Sequence, residues 1–393
     1  MRRVITIFFV CAILLGAVSL AIAEESAERP QGYPRKIVVF DQTFVNEPAQ
    51  IALLRRFGGT VIKPLHIING MAAYLPPKAV EAVLEEPAVL RIDDDVIVNA
   101  IGKPPAPQPT EVLPWGVDRI NADLAWATTK GLAIKVGIVD TGIDLGHPDL
   151  RANIKGNVNT INPRKSGNDD NGHGTHVAGT VAAADNTIGV IGVGPEIYLY
   201  AVKVLGKNGS GWLSDIIEGL QWCINNRMQV VNMSFGTYSE IQSFHDAIIV
   251  VYNSGIVMAA AAGNDGVSAP LYPAAYDEVM AVAASGINNQ IPAWSNYGLH
   301  VDLTGPGVDI YSTYKGSSYK TLSGTSMATP HVAGTAALVL TTTVGSYSSY
   351  DLNLNGVWDP IEVKNKLQDT AQNLGYNSYQ QGAGLVRADL ATQ

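Results

Sequence analysis

Short apolar strands alternating with helices, from about residue 115 to the C-terminus, predict an α/β fold: a mostly parallel sheet with helices on both faces. Two more observations support this. The run Lys135-Val136-Gly137-Ile138-Val139 passes straight into Asp140 and a glycine turn, the way buried parallel strands end. Upstream, residues 36–92 follow the order β-α-β-β-α-β, which predicts a small α+β, ferredoxin-like module ahead of the main domain.

The chain has 393 residues, room for one large domain and one small one. Met1-Arg2-Arg3 precedes an apolar run over 4–20 that closes on Ala21-Ile22-Ala23, so residues 1–23 read as a secretory signal. A retained N-terminal anchor is the alternative. Glu24 and Glu25 directly after the small-residue site argue against it, and no membrane contact is expected once the signal is removed. Within 24–100, strands are expected at 36–40, 60–68, 71–75 and 89–92, with helices at 49–57 and 78–85. The proline-rich stretch 101–110 reads as an extended linker.

In 111–393 the expected order starts with a helix near 122–128, the strand ending at Asp140 and a helix headed by His173. Strand 197–205, helix 213–226, strand 230–234 and helix 242–254 follow, then strands 257–262 and 279–285 and a helix headed by Ser326. Pro330 fits that last helix only in its first turn, because it lacks an N–H. Charged residues are 16% of the chain, below the usual quarter. From Pro109 onward there are 15 basic and 24 acidic residues, a net of −9 that is the whole formal charge of the chain. No basic stripe exists, so nucleic acid is excluded as a partner. Cys11 would leave with the signal, and Cys223 among Leu220, Trp222 and Ile224 reads as a buried thiol.

Chemistry concentrates in three stretches. Ser323-Gly324-Thr325-Ser326-Met327-Ala328-Thr329-Pro330-His331 heads a helix of small apolar residues, where backbone N–H groups lack partners and the macrodipole is positive. Alone, this would be a plain helix cap. Asp140 stands at a strand's C-terminal end, where open α/β sheets build their sites, and His173 stands between glycines in Asn171-Gly172-His173-Gly174-Thr175. The order Asp, His, Ser is one of three convergent orders of the hydrolytic triad. These stretches resemble the signatures of the subtilisin family of serine endopeptidases, and the likeness runs from about Trp115 to the C-terminus and weakly upstream. No G-x-S-x-G elbow surrounds Ser326, against an α/β-hydrolase.

The resemblance implies a secreted, monomeric enzyme that cuts proteins and peptides through an acyl-enzyme, with Ser326 as nucleophile, His173 as base and Asp140 orienting it. His147, His176 and His331 are then structural. Asn264 is implied as the oxyanion donor. Gly209-Ser210-Gly211 and Ser234-Phe235-Gly236 would pair with the substrate backbone. The latter segment, with Ala261 and Gly263, would wall a small-to-apolar primary pocket whose floor Leu271 would fill and at whose rim Asp265 would favour a basic residue. Residues 24–100 resemble the family's inhibitory pro-domain, a folding template that acts in cis and in trans with its tail in the cleft. Self-processing is then expected between Val98 and Pro109.

Residues 351–362 carry the spacing of a twelve-residue calcium loop: oxygens from Asp351, Asn353, Asn355 and Asp359, the Val357 carbonyl, Gly356 at the sharp turn and Glu362 last. A surface turn is the bland alternative, and Pro360 is unusual there. A second calcium site is implied by resemblance, from Asp149, Asn186, the carbonyls of Ala184, Ile188 and Val190, and Glu111. Competing classes are a non-catalytic calcium-dependent binding module, opposed by the intact Asp140, His173, Ser326 and Asn264, and an intracellular processing protease, opposed by the signal.

Overall fold

The computed structural model describes residues 32–44, 46–100, 112–345 and 348–393. The expected signal at 1–23, the linker at 101–110 and Glu111 lie outside the described residues.

The N-terminal module comprises β1 (Arg35–Phe40), α1 (Glu47–Arg56), β2 (Thr60–Leu65), β3 (Gly70–Tyr74), α2 (Val80–Leu84) and β4 (Val89–Asp94). Its strands form an antiparallel sheet in the order β2-β3-β1-β4. Helix α1 is signalled at both ends. Asn46 Oδ1 accepts from the Ala49 amide at 3.0 Å, and Arg55 and Arg56 lie where the dipole favours positive charge. Alternation gives β1 two apolar faces. Val38 and Phe40 pack with Leu54 of α1 and Val83 of α2, while Ile37 and Val39 join the core of the main domain.

Strand β5 (Ile97–Ala100) leads out of the module. The main domain opens with two short helices, α3 (Trp115–Arg119) and α4 (Ala122–Ala125), in place of the single helix expected near 122–128. Then come β6 (Lys135–Asp140), β7 (Ile154–Asn159), α5 (His173–Ala182), β8 (Tyr198–Lys203), β9 (Ser210–Trp212) and α6 (Leu213–Asn225). They are followed by β10 (Val230–Met233), β11 (Phe235–Gly236), α7 (Gln242–Asn253), β12 (Val257–Ala261), β13 (Met280–Ser285) and β14 (Leu303–Pro306). The hairpin β15 (Ile310–Tyr314) and β16 (Ser318–Leu322), α8 (Thr325–Val339), α9 (Pro360–Asp369), α10 (Ser378–Gln381) and α11 (Ala388–Ala391) complete the described chain.

Seven strands form one parallel sheet, in the order β14-β13-β12-β10-β6-β8-β7. Alternate residues divide between two cores, as a sheet covered on both faces requires. Val257, Ala259, Val282 and Ala284 meet Val177 of α5 and Val332 of α8. Met258, Ala260 and Ala281 meet Ile216 of α6 and Ile248 of α7. Two sheet strands escape the sequence pattern, β7 and β14. Both are sheet edges that carry a glycine; β7 alternates but has only Ile154 and Val158 as large apolar residues, and β14 is four residues ending in proline. Helix α8 is buried along its whole length, as its small apolar residues predict, but Pro330 sits inside it and not in the first turn.

The module docks through carboxylates that cap main-domain helices. The N-cap residues of α6 and α7 are Trp212 and Ile241, neither of which offers a side-chain cap. Asp95 supplies one for α6. Its Oδ1 accepts from the Ser214 amide at 3.0 Å, and its Oδ2 accepts from Ser214 Oγ at 2.9 Å and from Arg35 Nε at 2.8 Å. Asp93 does the same for α7, accepting from the Ser243 amide at 3.1 Å. Both place negative charge at a positive helix end. Lys63 pairs with Asp215 and Glu218 beside them, and Arg91 with Asp246.

Asp95→Ala should therefore destabilise the intact chain by about 3 kcal/mol, since it strands a nearly buried Arg35 and uncaps α6. Asp94→Ala, whose Lys36 pair is exposed on the acid side, should cost roughly 0.5 kcal/mol or less. Denaturant midpoints in a Ser326→Ala background check both; equal shifts would contradict the assignment.

Candidate active site

Strand β6 delivers Asp140 to the C-terminal edge of the sheet, where its side chain is fully buried. A buried carboxylate needs donors. The Thr141 amide gives one at 2.6 Å, and His173 Nδ1 lies 2.8 and 2.9 Å from the two carboxylate oxygens. His173 is the first residue of α5, and the turn before it needs Gly172, whose φ is 111°. Asp169, which the sequence reading passes over, organises this corner. Its Oδ1 accepts from Thr141 Oγ1 at 2.9 Å and from the Asn171 and Gly172 amides, and its Oδ2 accepts from the Thr175 amide and hydroxyl. An aspartate three residues ahead of a glycine-histidine pair is the signal that could have marked it.

Ser326 lies in the first turn of α8, which packs along α5. Its hydroxyl donates to the Ser234 carbonyl at 3.0 Å, and the Ser234 hydroxyl donates to the Ser326 carbonyl at 2.9 Å. Pro330 explains the second bond. In a regular helix the amide four residues on would bond the Ser326 carbonyl, and proline has none. Asn264 is held by Thr325, whose amide and hydroxyl donate to Asn264 Oδ1 at 2.8 and 3.0 Å. Since a backbone N–H can only donate, the oxygen faces Thr325 and Nδ2 is the free end of the amide to direct elsewhere.

The expected backbone-pairing segments come together around the module's own chain. Strand β5 is the middle strand of a three-stranded antiparallel sheet between β11 and β9. Phe235 and Gly236 face Ala100 and Asn99; Ser210 and Gly211 face Asn99 and Val98. Gly209, at φ 77°, makes the turn into β9, and Val98 is fully buried. Gly263 is joined to the head of α8 by its amide, which donates to Thr325 Oγ1 at 3.1 Å.

The other histidines are tied to backbone. His147 Nε2 meets the Ser318 carbonyl at 3.0 Å, His176 Nε2 meets those of Ile310 and Lys320, and His331 Nδ1 meets Met327 at 2.9 Å. Burial lowers His176 to about 3, with the neighbouring His173 charge adding to it, and lowers His331 to about 4. Both are therefore neutral at neutral pH. Cys223 is buried beside Gly137, and burial raises its thiol.

Among the described residues no group of three or more His, Cys, Asp or Glu is placed to hold a metal. The loop 351–362 nevertheless folds around its proposed ligands. Asp351 accepts from the Asn355 and Gly356 amides, and Asn353 and Asn355 Nδ2 both reach Asp359 Oδ2, at 2.5 and 3.1 Å. Glu362 accepts from the Leu352 and Asp359 amides, completing a capping box on α9. At the other loop the buried Asp149 accepts from Asn186 Nδ2 and the Val190 amide, each at 2.9 Å. The Ala184 amide donates to the Asp149 carbonyl, and the Ile188 amide to Asn186 Oδ1.

The model of the subtilase family matches residues 131–385. An alkaline protease of Alkalihalobacillus alcalophilus is 40% identical over 348 residues, 88% of this chain and 85% of that protein. Subtilisin Savinase of Lederbergia lenta is 45% identical over 282 residues, 72% of this chain and 99% of the relative. Subtilisin amylosacchariticus of Bacillus subtilis subsp. amylosacchariticus is 36% identical over 400 aligned residues, 99% and 98% of the two chains.

The buried histidines set an acid limit. Their folded values lie below the ordinary 6.5, so the unfolded chain takes up protons first. The stability tied to their neutral forms is complete above that pH and is lost as pH falls towards 3–4. Each should steepen the loss by about 1.4 kcal/mol per pH unit. His331→Gln should remove one such increment from the stability profile between pH 6.5 and 4.5 (the window set by the two shifts). An unchanged slope would show that burial does not hold this ring neutral.

Proposed function

The chain belongs to the subtilase family of serine endopeptidases, and we propose that Asp140, His173 and Ser326 are its catalytic residues, in a secreted enzyme made as a self-processing zymogen. Ser326 Oγ gives up its bond to the Ser234 carbonyl and attacks the peptide carbonyl as His173 Nε2 takes its proton. The imidazolium then returns that proton to the leaving amine, and water cleaves the acyl-enzyme by the same route. Asp140 accepts from Nδ1–H, which leaves Nε2 as the acceptor and steadies the positive ring. Asn264 Nδ2 and the Ser326 amide meet the developing oxyanion. Thr325 holds Asn264 by its oxygen, so the donor is aimed before charge appears.

The observation that carries this reading is β5. The chain just ahead of the linker already lies antiparallel between β11 and β9, as a substrate would. The ladder runs from Gly236 to Phe235 towards Ser234, whose carbonyl receives the Ser326 hydroxyl. The bond cut in maturation accordingly follows closely after Ala100, within 101–110. Residues 1–23 are read as the export signal, 24–100 as the pro-domain and 111–393 as the catalytic domain.

Calcium is read at both loops from donor chemistry. In 351–362 the Asp351, Asp359 and Glu362 carboxylates and the Val357 carbonyl would be ligands, with Asn353 and Asn355 joining them once their oxygens leave the Asn355 and Val357 amides they now accept from. At the other loop the Asp149 carboxylate would be the main ligand, with Asn186 Oδ1, once it leaves the Ile188 amide, the carbonyls of Ala184, Ile188 and Val190 and the Glu111 carboxylate as further ligands. Bound calcium would clamp these loops and stabilise the fold.

Wild type and Ser326→Ala, expressed side by side, should differ: wild type sheds residues 24–100 and the variant retains them. Loss of that segment by purified Ser326→Ala would overturn the reading. On a peptide substrate Asn264→Ala should lower kcat by about 10²–10³, a scale taken over from a subtilisin, with KM nearly unchanged. EDTA should lower the melting temperature of Ser326→Ala relative to millimolar calcium. A ligand at about 100 times its Kd stabilises by about 2.7 kcal/mol, so an identical Tm in the two buffers would remove both calcium sites.

A further inference from the structure

The two walls beside Ser326 present glycines to each other, and one side chain lies between them. Gly236 ends β11, two residues past Ser234, and Gly263 directly precedes Asn264. A Cβ on Gly236 would stand 2.5 Å from Leu271 Cδ2 and 2.6 Å from its Cγ. One on Gly263 would stand 3.3 Å from the same Cδ2. Leu271 Cδ2 thus fills the space that Gly236 leaves open and reaches the Gly263 side, where the Asn296 amide is the nearer neighbour of such a Cβ. Leu271 is 3% exposed, so water hardly passes it. It is also fixed in place, because Tyr272 next to it exchanges two backbone bonds with Thr237, at 2.8 and 2.9 Å. At the rim, Tyr238 bridges the walls. Its hydroxyl donates to Asp265 Oδ2 at 2.6 Å and accepts from Asn296 Nδ2 at 2.9 Å. Asn296 Oδ1 in turn accepts from the Asp265 amide at 3.0 Å. The rim carboxylate therefore already serves to fasten the two walls together.

We propose that Leu271 shortens the slot beside Ser326, so that the enzyme selects bonds preceded by an alanine-sized residue and turns away aromatic and long basic ones. A ring or a lysine stem would have to displace a leucine packed on both sides, and overpacking of that kind is costly. The inference rests on the reading of Ser326 as nucleophile.

Four tetrapeptide p-nitroanilides that differ only in the last residue, Ala, Leu, Phe or Lys, test it. Processed wild type, Leu271→Ala and Leu271→Gly are compared by kcat/KM, each normalised to active sites titrated with a serine-directed fluorophosphonate. Wild type should prefer Ala over Phe by about 10-fold or more, the scale by which pocket size discriminates. Both variants should raise the Phe-to-Ala ratio at least as much while still turning over the Ala substrate. Wild type that cuts after Phe as readily as after Ala overturns the proposal, as do actively titrating variants with an unchanged ratio. If Leu271→Gly fails to fold, the wild-type ratio and Leu271→Ala decide. Wild type that cuts none of the four and does not titrate fails at the underlying reading instead, and takes this inference with it.

Discussion

A charge buried at the end of the central strand governs the arrangement. Asp140 has no access to water, so its carboxylate must be met by donors from the protein, and the ones it finds are the Thr141 amide and the His173 ring. Meeting that need brings the first residue of α5 against the edge of β6. Parallel pairing does the rest. Adjacent strands β12, β10 and β6 all end on the same edge, so the Ala261–Asn264 segment, Ser234 and Asp140 emerge side by side. Helix α8 lies over that face and brings Ser326 and Thr325 to it.

The N-terminal module uses the same edge. Strands β9 and β11 do not pair with each other; β5 stands between them and bonds to both. A segment that satisfies two open strand edges by backbone alone uses a geometry open to any extended peptide, so on the proposed reading inhibition and substrate binding would share it. What distinguishes the module from a passing substrate is the set of side-chain contacts behind that strand. Asp93 and Asp95 close two helix ends that carry no caps of their own. Those two helix ends are capped by side chains only while the module is present, a physical basis for the folding-template role that the family resemblance implies.

Much of this was legible in the sequence, for reasons that can be named. Buried strands such as Val136–Val139 and Val257–Ala261 are apolar throughout and announce themselves. In β1 the run Ile37-Val38-Val39-Phe40 is likewise apolar throughout, and the structure covers both of its faces. Strands β7 and β14 stayed hidden because an edge strand needs neither alternation nor a continuous apolar run. Asp140, His173, Ser326 and Asn264 stand out through their local motifs. Asp169 does not, because its work is to gather amides and hydroxyls from Thr141, Asn171, Gly172 and Thr175, and such convergence exists only in three dimensions. Leu271 is expected at the pocket floor through the family resemblance, whereas Tyr238 is hidden for the same reason as Asp169: nothing beside it along the chain says that it meets Asp265 and Asn296.

Pro330 shows how a local misfit becomes a long-range link. Read alone, it belongs in a first turn. Inside α8 it withholds the amide that would have bonded the Ser326 carbonyl, and that carbonyl turns to the Ser234 hydroxyl. The Ser326 hydroxyl returns the bond to the Ser234 carbonyl. Two residues distant in sequence are thus locked by a reciprocal pair that a regular helix would not permit. Ser234 is also the residue from which β11 departs to pair with β5. Ser326 and β11 are therefore positioned by one contact, so an extended chain paired with β11, as β5 is, lies beside Ser326 and not beside some other residue of the edge.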